Sequence, residues 1–237
     1  MAVLALRLAG PMQSWGDASR FTQRLTRSEP TKSGVLGLLA AADGRRRQDP
    51  IEDLAGLRFG VRVDQPGRLV RDFQTAIRWQ DPKRPSMPLS YRYYLADAVF
   101  VAAVEGDRAL LEGLDAALRH PVFPLYLGRR ACPVTGRLNL GLHEGDVEQV
   151  LRRLDWQAAA WHRRRQGQVV DLPLHIDAPA TLVEPEMVRE VVRDVPLSYS
   201  PERREYGWRD VVQAAPHHVT NPDGRAGFDF MAALGGV

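Results

Sequence analysis

Gly128-Arg129-Arg130 is the segment of this chain best suited to hold an anion. An apolar run over residues 123–127 leads into it, and Ala131-Cys132-Pro133 closes it. Glycine can take a positive φ and lets another backbone come close. Each arginine presents a planar fork of donors that matches phosphate oxygens. A strand end that turns into Gly-Arg-Arg therefore has the chemistry of a phosphodiester grip. The same residues also fit a plain surface turn with two solvated arginines. The rest of the chain must decide between the two.

Two further segments carry related chemistry. Gln13, Ser14 and Trp15 follow Gly10-Pro11-Met12, and their side chains can reach base edges or stack on a base. Trp15 equally suits a plug at the edge of a core. Thr31, Lys32 and Ser33 open a helix, whose free amide donors and dipole favour phosphate. Ordinary capping by Thr31 or Ser33 would use the same donors.

Catalytic chemistry is sparse. No Walker-type loop occurs, and the six histidines (120, 143, 162, 175, 217 and 218) show no metal-ligand spacing with carboxylates or with Cys132. No catalytic residue, metal or cofactor is assigned. His120 follows Arg119 at a helix end. It can act as an acid or base on RNA, or satisfy the helix C-terminus. His217-His218 reads as surface. The triplets Arg45-Arg46-Arg47 and Arg163-Arg164-Arg165 read as solvated faces, with RNA contact as the alternative.

The elements that position these groups must come from 237 residues, one large domain or two small ones. Hydrophobic residues make up 44%, enough for a sizeable core. No apolar run approaches the ~20 residues of a membrane span. Residues 1–9 alternate and are broken by Arg7 and Pro11, unlike a signal peptide. A single cysteine excludes an internal disulfide framework and points to a reducing, cytoplasmic setting. Residues 1–145 hold 21 Lys/Arg against 15 Asp/Glu, whereas 146–237 hold 11 against 14. The first part is thus the better candidate for an anionic partner.

Alternation over residues 2–9 predicts a strand with Leu4, Leu6 and Leu8 on its one buried face. A long loop over 11–30 precedes a helix that runs to Gly44, in which Gly34 and Gly37 permit close packing on a sheet. One helical turn within 49–57 and strands over 57–63 and 68–79 follow. Pro82, Pro85 and Pro88 exclude helix and mark a protruding loop. A long strand over 91–104, a helix over 107–120 capped by Asp107, and strands over 123–127 and 138–142 complete the first part. The order is that of a split βαβ, ferredoxin-like fold. Beyond it, a helix over 146–156 and strands over 168–176, 187–197 and 208–214 form a smaller, mainly β region packed on the first. Residues from about 221 to 237 form a possibly flexible tail. Sheet-face stacking of RNA is not expected, since residues 2–9 carry no aromatic side chain.

Three stretches together, residues 6–16, 30–39 and 126–133, resemble the CasD family in order and spacing. This is the subunit of type I-E CRISPR Cascade that holds the 5′ end of the crRNA, within the RAMP superfamily. The resemblance is strong over residues 1–142. It implies an α+β fold: a ferredoxin-like (RRM-like, RAMP) domain over 1–145 with a glycine-rich loop at 127–130. It also implies a thumb-like insertion at about 71–94, with Arg92 and Tyr93 on its returning limb, followed by the smaller mainly β region over 146–220. It further implies a non-catalytic role: binding the crRNA 5′ handle, capping the backbone filament and docking the large PAM-recognising subunit, with target DNA engaged only indirectly through guide pairing. The RNA-binding residues expected on this basis are Gln13, Trp15, Thr31, Lys32, Ser33, Arg92, Tyr93, Gly128, Arg129 and Arg130. The alternative is a metal-independent endoribonuclease that processes precursor crRNA, using His120 with a nearby Tyr or Lys.

Overall fold

The computed structural model describes residues 2–16, 22–77, 83, 86, 89–178 and 188–225. Its elements are β1 (Ala2–Ala9), β2 (Met12–Gln13), β3 (Gln23–Arg24), α1 (Lys32–Ala42), α2 (Glu52–Ala55), β4 (Arg58–Gln65), β5 (Arg68–Gln74), β6 (Ser90–Ala96), β7 (Val99–Gly106) and α3 (Arg108–Arg119). They continue with β8 (Asn139–Glu144), α4 (Val147–Arg153), α5 (Ala160–Arg163), β9 (Val169–Asp177), β10 (Arg189–Tyr199) and β11 (Arg204–Thr220). The proline-rich loop and the tail beyond Arg225 lie outside the described residues.

The principal sheet has seven strands in the order β10-β11-β9-β4-β7-β1-β8. Its core, β4-β7-β1-β8, joins two interleaved strand-helix-strand units, with α1 and α3 as the crossovers. Leu4, Leu6 and Leu8 of β1 pack with Leu36 and Leu39 of α1 and with Leu111 and Leu114 of α3. The opposite face is also buried: Val3 and Ala5 pack with Val147, Val150 and Leu151 of α4. The expectation of one buried face was wrong because α4 folds back over the other. The mainly β region is not a separate layer either, since β9 pairs with β4 edge to edge and extends the same sheet.

The 91–104 run breaks into two strands of two different sheets. Asp97 turns the chain at φ +56, a conformation that aspartate tolerates better than most residues. β6 then becomes the centre of a small second sheet. It pairs antiparallel with β5 along one edge, and on the other with β2 and β3, short strands inside what reads as loop in the sequence. The predicted strand over 68–79 is regular only to Gln74, with an isolated bridge from Ile77 to Ser86. β5 and β6 form an antiparallel ribbon that covers the described ends of the segment expected to be a thumb-like insertion. Leu69, Phe73 and Ile77 stand largely exposed on it.

No strand forms over 123–127. Pro124 removes a backbone donor there and Pro121 one just before it, and only Tyr126 bridges, to Pro133. The three longer helices, α1, α3 and α4, each start at a capping side chain. Thr31 accepts from Gly34 N–H, Asp107 from Leu110 N–H, and Asp146 from Gln149 N–H in a reciprocal capping box.

Candidate nucleic-acid interface

The turn after Leu127 is closed by its own backbone. Leu127 N–H donates to the Cys132 carbonyl (2.8 Å), and Cys132 N–H donates to that of Arg129 (2.8 Å). Leu127 and Cys132 are buried and anchor it. Burial pushes the Cys132 thiol up, so it stays a neutral packing group. Gly128 sits at φ +87, and Ser14 N–H donates to the Leu127 carbonyl at 3.1 Å. The Gly-Arg-Arg turn is thereby laid directly on the segment that leaves β1 and β2.

The two arginines have different duties. Arg129 is half-buried; it donates to the carbonyls of Arg24 (2.7 Å), Tyr93 (3.3 Å) and Leu25 (3.4 Å), and lies 4.8 Å over the Tyr94 ring. It is a clamp between β3 and β6, contrary to the expectation of a free phosphate fork. Arg130 is exposed and has no hydrogen-bond or ion-pair partner among the described residues.

Gln13 and Trp15 are also corrected. Both are fully buried. Gln13 Nε2 donates to the carbonyls of Leu8 (3.0 Å) and Ala98 (2.8 Å), and its Oε1 accepts from the Trp15 indole (3.1 Å). With those groups satisfied internally, neither residue offers a polar edge or an open ring to RNA. Ser14 spends its hydroxyl on the Tyr93 carbonyl. Gly34 of α1 lies against the Trp15 ring so closely that a β-carbon would collide with it. This contact, together with Gly37 under Tyr199, explains the helix glycines.

The α1 N-terminus is likewise committed. Thr31 is its cap, and the Lys32 N–H donates to Asp194 Oδ2 at 2.7 Å. The buried Lys32 ammonium pairs with Asp177 (3.1 Å), and Arg209 bridges Asp177 (2.5 Å) and Asp194 (2.6 Å). The Lys32 amide, the Lys32 ammonium and the Gly34 amide are thus already held by two carboxylates and a hydroxyl. Ser33 is buried too, and its carbonyl accepts from the Tyr199 hydroxyl (2.5 Å). Burial pushes the Tyr199 phenol far up, which keeps it a neutral donor. Arg92 and Tyr93 lie half-buried on β6; the Arg92 Nε is buried without a partner.

These segments nevertheless converge. A cleft of about 490 Å³ is lined by Ser14, Trp15, Thr31, Ser33, Gly128 and Arg129, from all three stretches named above. It is also lined by Tyr126 of the third stretch, by Arg45, Arg46 and Arg47, and by residues that the sequence reading did not single out as contacts: Arg24, Arg204, Tyr199 and Tyr206. The arginine triplet was visible in the sequence but read as a solvated face. Nothing local in the sequence reveals that the β10–β11 hairpin brings Arg204 and Tyr206 to the same place. Arg45 is held by Asp43 (2.9 Å) and Asp53 (2.5 Å), whose hydrogen bonds raise its pKa.

His120 is exposed, and its backbone closes the end of α3 on Ala117. Among the described residues no tyrosine or lysine bonds its ring, and no cluster of three His, Cys, Asp or Glu could hold a metal. No helix among them is long and apolar enough to cross a membrane.

The comparisons with known proteins agree with one another. The chain is 36% identical over 156 residues to the CRISPR system Cascade subunit CasD of Escherichia coli (strain K12), covering 58% of this chain and 70% of that protein. It is similar to a chain of a CRISPR RNA-guided surveillance complex, with TM-score 0.74, 33% identity, and coverage of 98% of this chain and 97% of that one. A second solved structure, described as a Cas protein, matches with TM-score 0.60 and 34% identity over 95% of this chain and 98% of that one. The family model described as CRISPR-associated protein (Cas_Cas5) matches residues 3–212, and the chain belongs to that family.

Proposed function

We propose that this chain is the non-catalytic RNA-binding subunit of a type I-E Cascade surveillance complex in antiviral defence, holding the crRNA 5′ handle and capping the backbone filament. The observation that carries the reading is the convergence of the three family-like stretches on one arginine-lined cleft. The β4-β7-β1-β8 order with its two crossover helices supports a ferredoxin-like, RAMP domain. The β5–β6 ribbon supports a thumb; its exposed Leu69, Phe73 and Ile77 suit contact with neighbouring backbone subunits. The remaining partners in this reading are the large PAM-recognising subunit and, through guide pairing, target DNA. A cytoplasmic setting fits a protein whose one cysteine is a buried thiol.

Within this reading the RNA-binding set narrows. Gly128 shapes the loop, Arg130 and Arg92 supply charge, and Tyr93 lines the approach. Gln13, Trp15, Thr31, Lys32, Ser33 and Arg129 build the wall behind them. The test is to mix the purified protein with 5′-labelled cognate repeat RNA in EDTA and follow gel shift and cleavage together. Binding without a new product is expected. A discrete product lost in His120→Ala would overturn the non-catalytic assignment in favour of a ribonuclease.

A further inference from the structure

Among the described residues six arginines line the cleft (24, 45, 46, 47, 129 and 204), and no aspartate or glutamate does. Two of the six are spent on the fold. Arg129 is bound by three carbonyls, and Arg45 by Asp43 and Asp53. The turn after α1 does not need its other two arginines. It is closed by the Arg46 backbone and Asp49, with Arg46 N–H donating to the Asp49 side chain at Oδ2 (2.6 Å) and Asp49 N–H donating to the Arg46 carbonyl (3.1 Å). Arg46, Arg47 and Arg204 are exposed, and their side chains have no hydrogen-bond or ion-pair partner among the described residues. Like charges gathered along one concavity raise the local concentration of anions.

We propose that Arg46, Arg47 and Arg204 form a phosphate-binding wall of this cleft, which takes the phosphodiester backbone of single-stranded RNA. The inference rests on the RNA-binding reading above and assigns the grip to residues outside the family-like stretches. Single-stranded RNA is favoured over a duplex because Tyr126 and Tyr206 lie among the arginines. Aromatic faces alternating with cations suit unstacked bases on a threaded backbone. Arg204 enters from the start of β11, so the grip spans the α1–α2 turn and the far end of the principal sheet.

The test is fluorescence anisotropy of a labelled single-stranded RNA, titrated over a series of KCl concentrations. Each phosphate contact on a single strand contributes about 0.7 to the slope of log affinity against log salt. Arg46→Gln/Arg47→Gln should therefore flatten the slope by about 1.4 and Arg204→Gln by about 0.7. The control pair Arg164→Gln/Arg165→Gln removes the same charge outside the cleft and should leave the slope unchanged. Thermal melting of each variant verifies that it is folded. Equal slopes for the wild type and the cleft variants would overturn this wall while leaving RNA binding standing. Equal losses in the cleft and control pairs would replace it with a non-specific charge effect. A folded wild type that binds no RNA would overturn both readings.

Discussion

Gly128 and the Ser14 carbonyl are packed so tightly that a β-carbon on Gly128 would lie far inside van der Waals contact distance of the oxygen. The glycine is needed twice over, for this approach and for its φ of +87. A left-handed backbone costs a non-glycine residue roughly 1–2 kcal/mol before any clash is added. Gly128→Ala should lower stability by at least ~2 kcal/mol in chemical denaturation. A variant as stable as the wild type would mean that the turn relaxes freely.

Trp15 separates packing from stacking. Trp15→Ala removes a fully buried indole and should cost ~3–5 kcal/mol. Trp15→Phe keeps most of the ring contact and loses the hydrogen bond to Gln13, so it should melt lower while binding RNA with unchanged affinity per folded molecule. Weakened binding by a well-folded Trp15→Phe would restore a base-stacking role.

The adjacent arginines should behave oppositely. Arg129→Ala unties β3 from β6 and should lower the melting temperature first. Arg130→Ala touches nothing among the described residues, so its stability should stay within ~0.5 kcal/mol of the wild type while RNA affinity falls. Paired melting curves and binding isotherms decide it.

Asp194 is the acceptor on which α1 and β11 both depend. Asp194→Ala leaves the Lys32 amide without its acceptor and the Arg209 guanidinium with Asp177 alone, and should cost ~3–5 kcal/mol. Arg209→Ala should be comparably damaging and, because the two share one network, the double variant should cost much less than the sum. Additive losses in that double-mutant cycle would show that the two side chains act independently.

The elements with strong local signals were readable from sequence. β1 alternates, and α3 has a cap and a leucine stripe. The division of residues 91–104 was missed because its apolar run continues through Asp97, whose left-handed turn only the neighbouring Pro11 and Gln65 fix. Residues 123–127 misled because composition suggested a strand where Pro124 removes a ladder donor and Pro121 another just before it. At the site, residue types pointed to the right places but not to the right duties. Whether an arginine is free or clamped depends on carbonyls far along the chain, as Arg129 and Arg130 demonstrate.

The seam between β4 and β9 joins the two parts of the sheet through only three residue pairs, Gly60–Ile176, Val61–His175 and Arg62–Leu174. Until residue 176 has left the ribosome, β4 presents a naked edge of the kind that recruits strands from other molecules. A nascent or proteolysed chain ending near residue 145 should therefore be sticky rather than merely less stable. The late strands thus act as the built-in cover that keeps the first-synthesised half from joining its neighbours on the polysome.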